Sequence, residues 1–190
     1  MSLTEDPVAQ AMTTVARADF LPEQQRPYVD KDRPLPIGKG QTNSQPRTVV
    51  AMLRLLDVCP GHRVLDVGAG SGWTTVLLAR LTGPDGVVIG VELEPELAAW
   101  GAENVARYPV PWARLVPARE GVLGWREEGP YDRILVSAGA RKLPQALVDQ
   151  LRPGAHMVIP VRGTMLRVTA DGSSGVHVTR HGSYRFVPLR

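Results

Sequence analysis

The clearest chemical signal is a run of glycines followed, one strand later, by an acid. Asp66-x-Gly68-x-Gly70-x-Gly72 comes directly after the apolar run Arg63-Val64-Leu65-Asp66-Val67 and before a helical pattern from Trp73 to Leu81. Glycines at a strand-to-helix junction let the backbone pass close to a ligand, and the first turn of a helix leaves amide donors free to meet it. Glu92 closes the next expected strand, 20 residues after Gly72. A carboxylate in that place can accept both hydroxyls of a ribose. The pair therefore predicts a site for a nucleoside-bearing ligand. A dinucleotide site would carry G-x-G-x-x-G, whose last glycine lets the helix approach the strand. Counted from Gly68, that place holds Trp73. An ordinary tight turn is the alternative, but it leaves strand, turn, helix and acid in register by coincidence.

These residues need elements to position them. Val8 to Ala18 has helical spacing, and Leu21 to Pro46, with five prolines and two glycines, predicts an ordered loop without helix or sheet. Helices are expected over Thr48 to Leu56, Trp73 to Leu81, Glu94 to Tyr108 and Pro144 to Leu151. Strands are expected at Arg63 to Val67, Val87 to Val91, Ala113 to Pro117, Asp132 to Val136 and His156 to Val161. That alternation predicts an α/β fold, mostly a parallel sheet with helices on both faces. Met165 to Thr169 and Val176 to Arg180 flank Asp171-Gly172-Ser173-Ser174-Gly175, a hairpin signal, and Tyr184 to Leu189 reads as a last strand. The C-terminal edge should therefore be antiparallel.

A chain of 190 residues with 43% hydrophobic and 22% charged residues suits one soluble globular unit. No apolar run is long enough to span a bilayer, which takes roughly 20 residues. Met1 to Ala9 lacks the pattern of a secretory signal, and the single cysteine, Cys59, allows no internal disulfide. The expected address is cytoplasmic. The net charge of +3 includes a basic stretch from Arg26 to Arg54. That stretch is either a solvated surface or a field for an anionic acceptor, a carboxylate or a phosphate backbone. His62, His156, His177 and His181 form no metal pattern; in a strand, His177 and His181 would stand about 13 Å apart. Of the four tryptophans only Trp73 adjoins the glycine turn.

The turn Gly68 to Gly72 with Asp66 ahead of it resembles the first motif of S-adenosylmethionine methyltransferases, which implies a Rossmann-like methyltransferase fold. A narrower likeness runs from about Met12 to Leu189. Pro36-Ile37-Gly38-Lys39-Gly40-Gln41-Thr42-Asn43-Ser44-Gln45-Pro46 resembles the loop P-I-G-x-G-Q-T-I-S-Q-P of protein-L-isoaspartate (D-aspartate) O-methyltransferases. Phe20-x-Pro22, Tyr28-x-Asp30, Pro130-Tyr131-Asp132-Arg133-Ile134, Gln150-Leu151-x-Pro153-Gly154, Val158-Ile159-Pro160-Val161 and Arg185-Phe186-Val187-Pro188-Leu189 match the same family. The resemblance implies methyl transfer from S-adenosyl-L-methionine to the free carboxylate of an L-isoaspartyl residue in a protein or peptide. It makes residues 1–47 an N-terminal helix and acceptor-side loop, 48–161 a cofactor-binding core and 162–190 a C-terminal β region. Ser44, with Thr42 beside it, takes the active-site position. Asp66, Gly68, Ala69, Gly70, Ser71, Gly72, Glu92 and Leu93 take cofactor positions, and Glu120-Gly121 lies where an Asp-Gly approaches the adenine. A monomer is expected, and neither a membrane nor a nucleic acid is an expected partner.

A sparse site suits that reaction. A carboxylate, with a pKa of about 4, is already ionised at neutral pH and needs no general base. The enzyme has to hold its oxygen about 3 Å from the methyl carbon and keep water away. Apart from the loop motif, Ser44 would read as an N-cap of the helix that follows. Asn43, Arg47 and Arg119 depart from the family pattern, where Ile, a frequent His and Gly stand, and they bear on the acceptor more than on the reaction. Two other readings remain: the same fold with another acceptor, such as an aspartate in a modified peptide or a nucleic acid, and a cofactor-binding protein without catalysis.

Overall fold

The computed structural model describes residues 6–172 and 175–190. Residues 1–5, on which the reading of the first nine residues partly rests, and residues 173–174, part of the expected hairpin signal, lie outside the described residues. The chain opens with α1 (Pro7–Thr14), capped by the Asp6 side chain, which accepts the Val8 amide. This helix stops short of Ala18 because Val15 is extended, and a 3₁₀ turn, Arg17–Phe20, follows.

Between Leu21 and Pro46 the expectation of a loop without regular structure is corrected. A 3₁₀ helix spans Glu23–Tyr28, and β1 (Leu35–Gly38) and β2 (Gln41–Asn43) form an antiparallel hairpin. Leu35 and Ile37 are buried while Pro36 and Gly38 are exposed, the alternation of a half-buried strand. Pro36 is tolerated because a two-stranded ribbon consists of edges. Gly38, Lys39 and Gly40 all take positive φ, which closes the turn.

Next come α2 (Pro46–Leu56), β3 (Arg63–Val67), α3 (Trp73–Thr82), β4 (Val87–Glu92), α4 (Pro95–Ala106), β5 (Ala113–Pro117), β6 (Tyr131–Val136), α5 (Gln145–Val148), β7 (Leu151–Val161), β8 (Thr164–Ala170) and β9 (Val176–Ser183). Among the described residues, seven strands form one sheet in the order β5-β4-β3-β6-β7-β8-β9. The first five run parallel, and β8 and β9 are antiparallel, as expected. Val64, Val88, Leu135 and Val158 bury their side chains on the face packed by α1 to α4. Leu65, Ile89, Ile134 and Met157 bury theirs on the opposite face, with Leu147 and Val148 of α5.

Two more expected elements differ, and two strands run longer than their patterns, β7 from Leu151 rather than His156 and β9 to Ser183 rather than Arg180. The helix over Pro144 to Leu151 is only Gln145–Val148. Gln150 is buried, accepting the Trp125 amide and donating to the carbonyls of Leu123 and Ala146, so the chain turns into β7 there. The tail from Tyr184 to Leu189 is not a strand. Gly139 donates to the Val187 carbonyl at 2.7 Å and accepts from the Leu189 amide at 2.9 Å. Pairing of the tail is confined to this single bridge between Gly139 and Pro188. Among the described residues, no helix is long and apolar enough to cross a membrane.

Candidate active site

The strand order places the site. From β3 the chain proceeds to β4 and β5 on one side, and β6 and β7 lie on the other. The connections leaving β3 and β6 thus diverge, and a crevice opens at their carboxyl ends, where ligands of open α/β sheets bind. A cavity of about 730 Å³ lies there, within the range of small-molecule pockets. The glycine turn forms its floor through Gly68, Ala69, Gly70 and Ser71, and Glu92 and Leu93 enter from the end of β4. Glu120 and Gly121 line one side, Thr42 and Ser44 another. Ten of the twelve residues singled out from the sequence therefore meet in one cavity.

Asp66 and Gly72 are not among its lining residues. Strand parity explains the first. Asp66 sits two residues from Val64 and points with it toward α3, where its Oδ2 accepts from the hydroxyls of Thr74 at 2.7 Å and Thr75 at 2.8 Å. Its Oδ1 has no hydrogen-bond partner among the described residues, and the residue is fully buried. Burial pushes its carboxyl up to about 6, against the two hydroxyl bonds that favour ionisation. Gly72 serves packing. A Cβ there would lie 2.9 Å from the Gly101 carbonyl oxygen and from Val105 of α4, while one on Gly101 would lie 2.6 Å from the Gly70 oxygen. Two facing glycines let α4 reach the turn.

Glu92 is buried and held by the backbone it serves. Its Oε2 accepts the Gly70 amide at 2.8 Å and its Oε1 the Glu94 amide at 3.0 Å. Each carboxylate oxygen can accept a second bond, so the group keeps capacity for two hydroxyls of a ligand. This donor and acceptor set fits a nucleoside with a ribose. Trp73, at the start of α3, also lines the cavity, and its buried Nε1 has no hydrogen-bond partner among the described residues.

On the acceptor side, Ser44 is not the cap of α2. The N-cap is Gln45, whose side chain makes no capping bond, and Asp32 serves the helix end from a distance by accepting the Arg47 amide at 3.0 Å. Asp32 also pairs with the Arg47 guanidinium, and the Arg47 amide first, with that guanidinium second, holds the Asp32 carboxyl below its usual range. Asn43 is buried, with its Oδ1 2.8 Å from Arg17 Nε. Arg119 lines the cavity, pairs with Glu127 and lies 4.7 Å over the Trp125 ring. The three departures from the family loop pattern thus each have a protein partner.

Of the other lining residues, Val187, Pro188 and Leu189 belong to the terminal segment that the family resemblance assigns to the acceptor pocket, whereas those that follow β6 escaped the sequence reading. Ser137 and Ala138 follow β6 at the switch in strand order, a position that topology marks once β3 and β6 are known to be neighbours. Arg141 and Lys142 extend that loop, and Val187, Pro188 and Leu189 close the wall through Gly139. Arg17, which stands behind this lining, gave no signal, because its partners are four backbone carbonyls and the Asn43 side chain far along the chain. No histidine of the described residues lines the cavity.

Comparisons with known proteins agree with this geometry. The family model for protein-L-isoaspartate (D-aspartate) O-methyltransferase matches residues 2–190. A protein-L-isoaspartate O-methyltransferase of Methanopyrus kandleri is 46% identical over 188 residues, covering 96% of this chain and 82% of that relative. One from Triticum aestivum is 41% identical, covering 97% and 84%. Among solved structures, a Plasmodium falciparum chain described as a protein-L-isoaspartate O-methyltransferase, in complex with S-adenosyl-L-homocysteine, superposes with a TM-score of 0.84 at 29% identity, covering 99% of this chain and 92% of that one. With a match over nearly its whole length, the chain belongs to the protein-L-isoaspartate (D-aspartate) O-methyltransferase family.

Proposed function

We propose that the chain transfers a methyl group from S-adenosyl-L-methionine to the free carboxylate of an L-isoaspartyl residue in a damaged protein or peptide. One observation carries the reading: the Thr42–Ser44 segment and the glycine turn with Glu92 line one and the same cavity. The names of the relatives and the S-adenosyl-L-homocysteine in the Plasmodium falciparum structure support it.

When bound, the cofactor supplies a methyl group on a positively charged sulfur, which is already an electrophile. Glu92, preset by the amides of Gly70 and Glu94, accepts the ribose hydroxyls. Leu93, Glu120 and Gly121 flank the nucleobase, and Gly68 to Ser71 present backbone to the rest. Asp66 and Gly72 act from behind, as a brace for α3 and a packing contact. The acceptor carboxylate arrives ionised and needs only orientation, which the hydroxyls of Ser44 and Thr42 supply without taking a proton. The absence of histidine from the lining suits a reaction with no general base. Val187, Pro188 and Leu189 shield the reacting atoms from water. In this reading residues 1–47 form the acceptor side, 48–161 hold the cofactor and 162–190 complete the sheet edge. The protein works as a monomer in the cytoplasm.

Radiolabelled methyl transfer onto matched isoaspartyl and aspartyl peptides, with transfer RNA as a third acceptor, tests the assignment. Label on the isoaspartyl peptide alone is expected. Label on the RNA or equally on both peptides would overturn it.

A further inference from the structure

We infer that Arg17 is a positioning residue for this reaction, setting the acceptor-side segment at Ser44 against the cofactor turn. The inference rests on the function proposed above. Arg17 is buried, and all five of its N–H donors are spent. Nε donates to Asn43 Oδ1 at 2.8 Å, Nη1 to the carbonyls of Val29 and Lys31 at 3.0 Å each, and Nη2 to those of Arg33 at 2.8 Å and Ser44 at 3.0 Å. The first three carbonyls lie on the segment entering β1. Asn43 and Ser44 lie where the chain leaves β2. One side chain therefore clamps both ends of the hairpin.

The same guanidinium carbon stands 5.5 Å from the centre of the Trp73 ring, and Trp73 is the residue directly after the glycine turn and part of the cavity wall. Arg17 thus joins the acceptor segment to the first turn of the cofactor helix. No carboxylate forms a salt bridge with it among the described residues. Keeping a charge buried with only carbonyl and amide acceptors is costly, and an apolar side chain would fill this space at lower cost to stability. What an apolar side chain cannot do is fix five acceptors in one plane, and a lysine, a point donor with three N–H groups, cannot either. The function that remains is geometric: a displacement of about 1 Å at a reacting group can cost about 100-fold in rate.

The test is a double-mutant cycle on kcat/KM with an isoaspartyl peptide, using Arg17→Lys, Ser44→Ala and the double variant, with S-adenosyl-L-homocysteine calorimetry on each. Arg17→Lys should keep cofactor affinity within about twofold and lose about 10- to 100-fold in kcat/KM. In the Ser44→Ala background the same change should cost less than about threefold, because the group it positions is gone. Additive losses, or equal loss of cofactor affinity, would assign Arg17 a merely structural role. Hydrogen exchange supplies an arm independent of the acceptor: amides of 29–45 should exchange faster in Arg17→Lys while those of 63–72 do not change. Unchanged exchange over 29–45 overturns the inference. If Arg17→Lys does not fold, Asn43→Leu, which removes only the Nε acceptor, takes its place, and Asn43→Asp should retain activity. A wild-type chain inactive on the isoaspartyl peptide would sink the proposed function instead, leaving Arg17 to be decided by exchange.

Discussion

Replacing Asp66 with asparagine should stabilise the protein at neutral pH and do so less and less as the pH falls. Asp66 is fully buried behind the cofactor turn, and its carboxyl sits at about 6, against 3.8 for a free aspartate. Burial is the main cause; the hydroxyls of Thr74 and Thr75 offset part of it, and the Glu92 carboxylate adds to it. Because the folded pKa lies above the unfolded one, the contribution of this group is fully present below about pH 4 and is lost as the pH rises through about 6. At about 1.4 kcal/mol per pH unit, the gap between 3.8 and about 6 amounts to about 3 kcal/mol once both states are ionised. An asparagine keeps an oxygen for the two hydroxyls and never ionises. Urea unfolding of both proteins at several values between about pH 4 and pH 8 gives the difference directly. The stability of Asp66→Asn relative to the parent should climb by about 2 to 3 kcal/mol over that range and level off above about pH 7. Any fixed packing cost of the amide shifts the whole curve without changing its slope. A difference that stays flat with pH would refute the reasoning and mean that the buried carboxyl titrates normally.

Three further outcomes test the site. Glu92→Gln should weaken S-adenosyl-L-methionine binding by about 1.5 to 3 kcal/mol, the worth of a charge-assisted hydrogen bond, in a protein whose unfolding is otherwise ordinary; unchanged affinity by calorimetry would remove Glu92 from the ribose. Ser44→Ala should leave cofactor affinity intact and lose most of kcat/KM on the isoaspartyl peptide, whereas activity within about twofold of the parent would leave Ser44 without an acceptor role. Single-turnover rates at saturating cofactor should be nearly level from about pH 6.5 to pH 8, because the acceptor is ionised throughout and burial brings His156, outside the cavity, down to about 4. An inflection in that window abolished by changing one histidine would contradict a carboxylate nucleophile.

Much of the fold was legible because a parallel sheet covered on both faces shows itself as short continuous apolar runs. Arg63–Val67 and Ala113–Pro117 fall where their patterns end, and Val87–Glu92 and Tyr131–Val136 differ from theirs by one residue. The glycine turn was legible for the same reason, since few backbones other than a close approach need Gly68, Gly70 and Gly72 all at positive φ. What Asp66 and Gly72 touch was not. The motif gives both cofactor positions, but strand parity turns Asp66 to α3, and Gly72 answers to Gly101 of a different helix. The hairpin Leu35–Asn43 was hidden by its prolines, and the tail reads like a strand although its pairing is a single bridge at Pro188. Arg17 was hidden most completely, since a side chain that bonds to carbonyls between 12 and 27 residues away leaves no period to read.

The central claim is the identity of the accepting carboxylate. A synthetic peptide that carries one aspartyl and one isoaspartyl residue offers two carboxylates of the same chemistry in a single molecule. After incubation with the protein and S-adenosyl-L-methionine, fragmentation mass spectrometry locates the methyl group. One methyl on the isoaspartyl residue, with the aspartyl residue untouched, is the predicted result. A methyl on the aspartyl residue, or none on either while S-adenosyl-L-methionine binds normally, would contradict the account.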